Sequence, residues 1–595
     1  MKASFSSITP FTYFLIGVLG FISPPAEATP FNVLSYGAAA DGTTDNSPAF
    51  NKAISASVAA GTNNEILIPT GTYRLSKSVE VKSAESLTIR GEAGTTLLMD
   101  DADTPIMLLN SCKNLVIKSL SFDRKRLSFT QGTITSVDPV GKNCEVMIDA
   151  NYAAPDAPHL AKATLHPFVY PKSGTYQLDR YISEVVSWQE LGAGHWRAKL
   201  KGHAPTAEWA GKRFFFWAAG KGHCFVGRDL EDCLFEDINY WGGGGNAGLY
   251  FFNLSGTMTF RRFVVGVPPG SDRMLSCGGG GQIGQIRGKL VFEDCEFTKI
   301  DDDGLDILGT WTRVLEQRDA RTLVLQTDND FRAGDHIALW DWQAKIARSE
   351  AVIVEVKANA DRSRTVVFDR ELKTVRVGAG EGPAFGSVAR DDGIDRVINL
   401  DMVGTETTIR NCRFQVFRAK CLNLKARNCT VEGCTFSDSW QPAISAASEW
   451  YFEEGPPIRD LIIRNNHFLN CNHNNIEIGT PPGTGHDKPS GVPSPSRDST
   501  HILIEGNSFA EYGAFPSVYQ YWPIGNAIRV QNAKGVIIRN NKFGPPANSA
   551  PKLEKILIFD SDDVVQKDNG YGLPGTTCNL QPASDEAIRP ILTKP

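Results

Sequence analysis

The chain has 595 residues, 41% hydrophobic and 22% charged, with a formal net charge of −6. That length exceeds one ordinary compact domain unless the fold grows by repetition. The acidic charge is mild and spread along the chain, and no basic run with interleaved aromatics marks a nucleic-acid surface, so that class of partner is excluded.

Residues 1–28 read "MKASFSSITPFTYFLIGVLGFISPPAEA". Lys2 precedes an apolar stretch at 11–22, and Ala26-Glu27-Ala28 forms a small-residue cleavage site. This predicts a secretory signal peptide cut near Ala28 and a secreted or periplasmic mature protein. The apolar stretch is short of the about 20 residues a spanning helix needs. No later segment is long and apolar enough, so no membrane span is expected. Residues 29–124 then read as a strand, a loop, an amphipathic helix and further strands. Ala49, Phe50, Ala53, Ile54 and Val58 share one helical face. Such a helix can cap the open end of a stacked-strand fold.

A recurring phrase decides the architecture. "KNLVIKSLSF", "RDLEDCLFEDI", "GKLVFEDCEFTKI", "TTIRNCRFQVF", "CTVEGCTFSDS", "RDLIIRNNHFLNC", "THILIEGNSFAEY" and "KGVIIRNNKFGPP" share one form. Two short β-branched runs are split by a polar corner, Asn, Asp or Gly followed by Cys, Asn or Ser, and an inward Phe comes next. In the C-terminal half the copies fall roughly 20 to 40 residues apart, a solenoid period. A unit this short buries its apolar face only by stacking on the next. The expectation is an all-β chain folded as a right-handed parallel β-helix of the pectin-lyase-like kind. Corner Asn residues can form a ladder. Cys112, Cys233, Cys295, Cys412, Cys429, Cys434 and Cys471 read as small buried side chains in that phrase rather than as a disulfide framework.

Two segments lack the phrase and alternate apolar and polar residues with period two, as antiparallel strands do. They are expected as small β-domains inserted at 125–220 and 312–398. β-Helix coils then occupy 221–311 and 399–570, and an irregular tail covers 571–595. The glycine runs "WGGGGNAG" and "CGGGGQ" lack a nucleotide-binding spacing. They suit either an open floor under a ligand or tight corners. His467 and His473 fit a corner ladder better than a metal site.

The stretch "FTKIDDDGLDILGTW" concentrates Asp301, Asp302, Asp303 and Asp306 at the end of a strand, just before the second insertion. Charges this dense repel, and folding alone gains little from them. In a cleft, paired carboxylates suit glycosidic hydrolysis. One kept protonated by its neighbours is the general acid, and the other activates water or attacks the sugar. A solvated acidic turn or a Ca²⁺ site is the other reading of the same residues.

The stretch "DDGLDILGTWTRVLEQRDARTLVL", followed by "IRNCRFQVFRAKCLNL" and "SWQPAISAASEWYFEEGPP", resembles glycoside hydrolase family 110, exo-acting α-1,3-galactosidases, over residues 220–545. The resemblance implies an inverting hydrolase that uses neither metal nor cofactor and acts on an oligosaccharide or polysaccharide ending in α-linked galactose. It makes Asp302 and Asp303 the catalytic pair, with Asp306 as a further catalytic candidate. It places Arg418 and Glu453 on one face as sugar-binding candidates; beside it, Trp440 and Trp450 suit either stacking on a sugar ring or packing, and Asp301 is a further substrate-binding candidate. Three positions depart from the family pattern: Gly279 stands where a further aspartate is expected, Asp306 replaces an Asn, and Leu308 replaces a His. Other β-helix enzymes, polygalacturonase-like or Ca²⁺-dependent lyases, and a non-catalytic glycan-binding β-helix remain alternatives.

Overall fold

The computed structural model describes residues 30–571, except 170–176, 179–182, 202–203, 327–329, 379–391, 480–496, 513–524 and 547–554. The signal-peptide expectation lies outside the described residues, as does the expected tail beyond Tyr571. Among the described residues no helix is long and apolar enough to cross a membrane.

The chain winds into a parallel β-helix whose coils feed a 23-stranded parallel sheet and a 12-stranded one, parallel except where Glu454–Gly455 joins it. Each strand pairs with its counterpart one coil on. Thus Leu305, Asp306 and Ile307 lie opposite Leu422, Asn423 and Leu424, although a whole inserted barrel separates them in sequence. One continuous apolar core runs from Val33 to Phe543. Along it Phe297, Phe414, Phe436, Phe468, Phe509 and Phe543 stack face to face, with ring centroids 5.3, 5.1, 5.0, 4.8 and 5.1 Å apart in turn. That spacing is set by hydrogen-bonded neighbouring strands, about 4.8 Å apart.

The recurring phrase has a backbone cause. Its Asn, Asp or Gly adopts the left-handed conformation in coil after coil: Asp232, Asp294, Asn411, Gly433, Asn465, Gly506 and Asn540 all have φ between 52° and 65°. These are the residue types that tolerate it best. The bend turns the next side chain inward, where Cys233, Cys295, Cys412 and Cys434 are buried. Further on, Asn replaces Cys. Asn466, Asn507 and Asn541 each donate from Nδ2 to the next Asn Oδ1 at 3.0 Å, ending on Asn569. All eleven described cysteines are buried and free.

At the N-terminal end, helix Ser47–Ala59 buries Ala49, Phe50, Ala53 and Ile54 against the first coil. Asn51 accepts the Glu80 N–H at 2.8 Å and donates to the Ser78 carbonyl at 3.2 Å, satisfying the outermost strand of the 12-stranded sheet. The solenoid's open edge is thereby covered.

Two antiparallel barrels interrupt the coils. The first is built from strands between Phe129–Asp138 and Arg213–Trp217 and closes where Thr164–Val169 pairs with Arg213–Trp217. The second is a closed six-stranded barrel from Thr312–Asp319 to Arg396–Asn399. Each has its own apolar core.

Candidate active site

The aspartate turn lies between the footings of the two barrels. On one side Trp217 of the first barrel packs so closely on Gly278 that a Cβ there would lie 2.6 Å from the indole. The Gly278 carbonyl accepts the Asp302 N–H at 2.5 Å. On the other side, strand Leu305–Thr310 leads directly into the second barrel and pairs with Glu454–Gly455. Of the acidic residues on this turn, only Asp302 is left open between them.

The four aspartates have different environments. Asp301 is fully buried and receives Arg418 through Nε at 2.9 Å and Nη2 at 3.2 Å. His166 of the first barrel also lies close, its Nδ1 3.0 Å away, although without hydrogen-bond geometry to the carboxylate. Burial pushes the Asp301 carboxyl up, but Arg418 and His166 outweigh it and hold it well below the usual range. Asp302 is the open one, its side chain 66% exposed. The protein surrounding that open face, together with the neighbouring Asp303 carboxylate, pushes its carboxyl up to about 6 against the pull of Arg418.

Asp303 is pinned. Its Oδ1 accepts the Lys420 backbone N–H at 3.0 Å, and its Oδ2 accepts Asn423 Nδ2 at 2.8 Å, with Lys420 Nζ 3.7 Å away. These donors fix its orientation. Asp306 lies deeper, 9% exposed, with Lys425 Nζ at 2.9 Å. Lys425 is fully enclosed and also meets Glu449 at 2.7 Å and Glu454 more closely still. Burial, then repulsion from Glu454, raises the Asp306 carboxyl well above its ordinary value, and burial raises Glu454 as well. Glu449 is the reverse case. Burial opposes ionisation, but Lys420 at 2.5 Å and Lys425 hold it low. Asn423 bridges Glu449 to Asp303 at 2.8 Å on each side.

Of the residues singled out in the sequence, the structure thus brings Asp301, Asp302, Asp303 and Arg418 together at one corner and puts Asp306 beneath them in a charged network. Trp440 occupies, one coil on, the corner position of Arg418, its N–H donating to the Phe417 carbonyl at 2.8 Å, but its side chain is 7% exposed. Trp450 packs among Trp311, Trp340 and Trp342, with centroids 5.4 to 5.5 Å away. Glu453 accepts Arg396 of the second barrel at 2.8 Å. Both are engaged in seating that barrel. The glycine runs fill tight corners rather than an open floor: a Cβ at Gly280 would lie 2.1 Å from the Gly304 carbonyl, and one at Gly242 2.1 Å from that of Ser276. Gly279 is less crowded, its nearest atoms being the Ala247 Cβ at 3.3 Å and the Asp303 carbonyl oxygen at 3.4 Å. His467 meets Ser508 at 2.7 Å across adjacent coils.

His166, Lys420, Asn423, Lys425, Glu449 and Glu454 were not anticipated. For Asn423 and Lys425 a signal existed: strand Leu422–Lys425 reads "LNLK", and its Asn and Lys fall opposite Asp306 and Leu308. His166 has no local signal, because it reaches the site from an inserted domain.

A family model described as rhamnogalacturonase A/epimerase, pectate lyase-like, matches residues 30–140. An α-1,3-galactosidase A of Bacteroides fragilis is 26% identical over 321 residues, covering 51% of this chain and 47% of that relative, about half of each. An α-1,3-galactosidase A of Bacteroides thetaiotaomicron is 25% identical over 537 residues, 86% of each chain. Among solved structures, an exopolygalacturonase from Thermotoga maritima aligns over 90% of this chain and 91% of its own, at 12% identity and a TM-score of 0.40, a likeness too slight to argue from. The chain is thus a pectate-lyase-like parallel β-helix, similar along most of its length to proteins named α-1,3-galactosidase A.

Proposed function

We propose that the protein is a glycoside hydrolase acting on glycans that end in α-linked galactose, with Asp302 as general acid and Asp303 as general base. The supporting observation is the contrast within the pair. Asp302 is open to solvent and titrates near 6, so it holds a proton for the leaving oxygen at mildly acidic pH. Asp303 has both oxygens held by donors from the next coil, which aims it, as a base that activates water must be. Adjacent residues thus take different roles because one is open and the other is held in place. The galactose specificity follows the names of the similar proteins. The inverting course follows the family resemblance of the aspartate stretch. Asp306 supports the floor through Lys425 instead of meeting the sugar.

The test offers the purified protein a panel of α-galactosides and uronate polymers, with and without EDTA. Release of galactose that persists in EDTA, and falls at least about a hundredfold in both Asp302→Asn and Asp303→Asn, supports the reading. An unsaturated product that EDTA abolishes makes the protein a lyase. Binding of panel glycans without turnover, unaffected by both substitutions, makes it a binding module.

A further inference from the structure

Arginine within 4 Å of a carboxylate ordinarily seeks a two-pronged pair with it. Arg418 lies that close to Asp302, its Nη2 3.9 Å from Oδ1. Such a pair would hold Asp302 ionised and end its usefulness as an acid. The pair does not form, because the Nε–Nη2 edge of Arg418 is already taken by Asp301. Asp301 is itself braced from behind. His166 presents Nδ1 to it at 3.0 Å, while its Nε2 lies 2.7 Å from the Thr164 hydroxyl. The imidazole stacks on Phe215 at 4.7 Å with a 17° tilt and meets the edge of Trp217 at 6.1 Å. The side chains of His166 and Asp301 are 1% and 0% exposed. Thr164, His166, Asp301 and Arg418 therefore form a chain of close contacts from the first barrel, through one coil, into the next, which stops 3.9 Å short of Asp302.

We propose that His166 and Asp301 are positioning residues that lock Arg418 with its charge already matched, so that the guanidinium lies beside Asp302 without capturing it. The charges facing Asp302 are Asp303 on its own turn, Arg418 and Lys420 on the next coil, and Asp301 beneath it, with His166 behind. Removing the Asp301 charge changes this balance in one direction: Arg418 turns to Asp302 and favours its ionised form. The first barrel acts in the chemistry through this bridge and is more than a wall. The activity readout rests on the hydrolase reading; the bridge itself does not.

The experiment uses the full chain and two readouts. The first is the pH dependence of Asp302 labelling by carbodiimide and glycine ethyl ester, which speeds as the carboxyl takes up its proton and is read by mass spectrometry against an exposed carboxylate of the same chain. The second is the pH profile of kcat/KM on the panel glycoside that the wild type cleaves best. In Asp301→Asn the labelling midpoint and the descending limb of the profile are both expected to move down by about one to three pH units, the effect of an opposite charge brought close. His166→Phe, which keeps the ring stack but removes the ring nitrogen beside Asp301, moves both the same way by less, and His166→Gln, which returns a polar group there, restores them in part. Midpoints that stay at the wild-type value in Asp301→Asn and His166→Phe overturn the proposal, even if both variants lose stability. If Asp301→Asn does not fold, the two His166 variants decide by the same labelling. If the wild type cleaves nothing on the panel, the hydrolase reading falls while the labelling still settles the bridge.

Discussion

Asp302 illustrates how a single residue can be good for chemistry and bad for stability. Its carboxyl titrates near 6 in the folded chain but near about 4 in an unfolded one. Below about pH 4 both states hold the proton, and the group costs the fold nothing. As pH rises through 6, the folded chain must ionise a carboxyl that its surroundings disfavour, so stability falls. Asp302→Asn is therefore expected to abolish turnover while raising the unfolding midpoint in urea at about pH 8, with no gain at about pH 4. Lys425 presents the opposite situation. It is fully enclosed by Asp306, Glu449 and Glu454. Lys425→Met leaves buried Asp306 and Glu454 without their cation, while Glu449 keeps Lys420, and is expected to cost about 3–5 kcal/mol. The loss shrinks towards acid pH, where Asp306 and Glu454, already raised, take up protons. Urea unfolding at two pH values checks this. An equal loss at both would mean that Lys425 matters through its stem packing instead.

At the scale of the element, the corner conformation explains what was legible in the sequence. The phrase Asn/Asp/Gly followed by Cys/Asn is visible without coordinates because a left-handed corner admits few residue types and a stacked core admits one size of neighbour. At the second bend of the coil the rule is looser beside the site, where Lys299 and Val416 both stand outside it. Lys299, Val416, Asp438 and Asn470 occupy equivalent positions and share φ between 53° and 63°. Val416 is the β-branched member, in a conformation such residues rarely adopt, two positions before Arg418. It is not part of the apolar core that takes in its neighbours Phe414 and Phe417. One coil on, Asn470 donates to Asp438 at 2.7 Å, so a polar ladder ends just short of Val416. Val416→Asn should extend that ladder and relieve the backbone, raising stability by about 1 kcal/mol. A urea midpoint that does not rise would show that the valine's local packing outweighs the strain.

Across the whole molecule, stacking converts distance in sequence into adjacency, and this sets how much of the site could be read in advance. The acidic quartet shows itself by charge density alone, and Arg418 by its place in the coil after the insertion. Their partners Lys420, Asn423 and Glu449 become visible only once the strand register across the second barrel is known, and His166 only once the first barrel is docked. The same one-dimensional order predicts how damage spreads. Each coil touches mainly its neighbours, so a defect should weaken its own end of the solenoid and leave remote coils intact. Asn507 lies mid-ladder: its Oδ1 accepts both the N–H and the Nδ2 of Asn466 at 3.0 Å, and its Nδ2 donates to Asn541 and to the Ile463 carbonyl at 3.0 Å. Asn507→Ala strands two buried donors of Asn466 and is expected to cost about 3 kcal/mol. Hydrogen exchange should quicken in strands Arg459–Arg464, Ser499–Glu505 and Ala533–Arg539, with protection of Leu249–Ser255 and Gly281–Ile286 unchanged. Loss of protection spread evenly from end to end would mean that the coils unfold as one cooperative block, and that the site between the barrels depends on the C-terminal ladder as much as on its own coil.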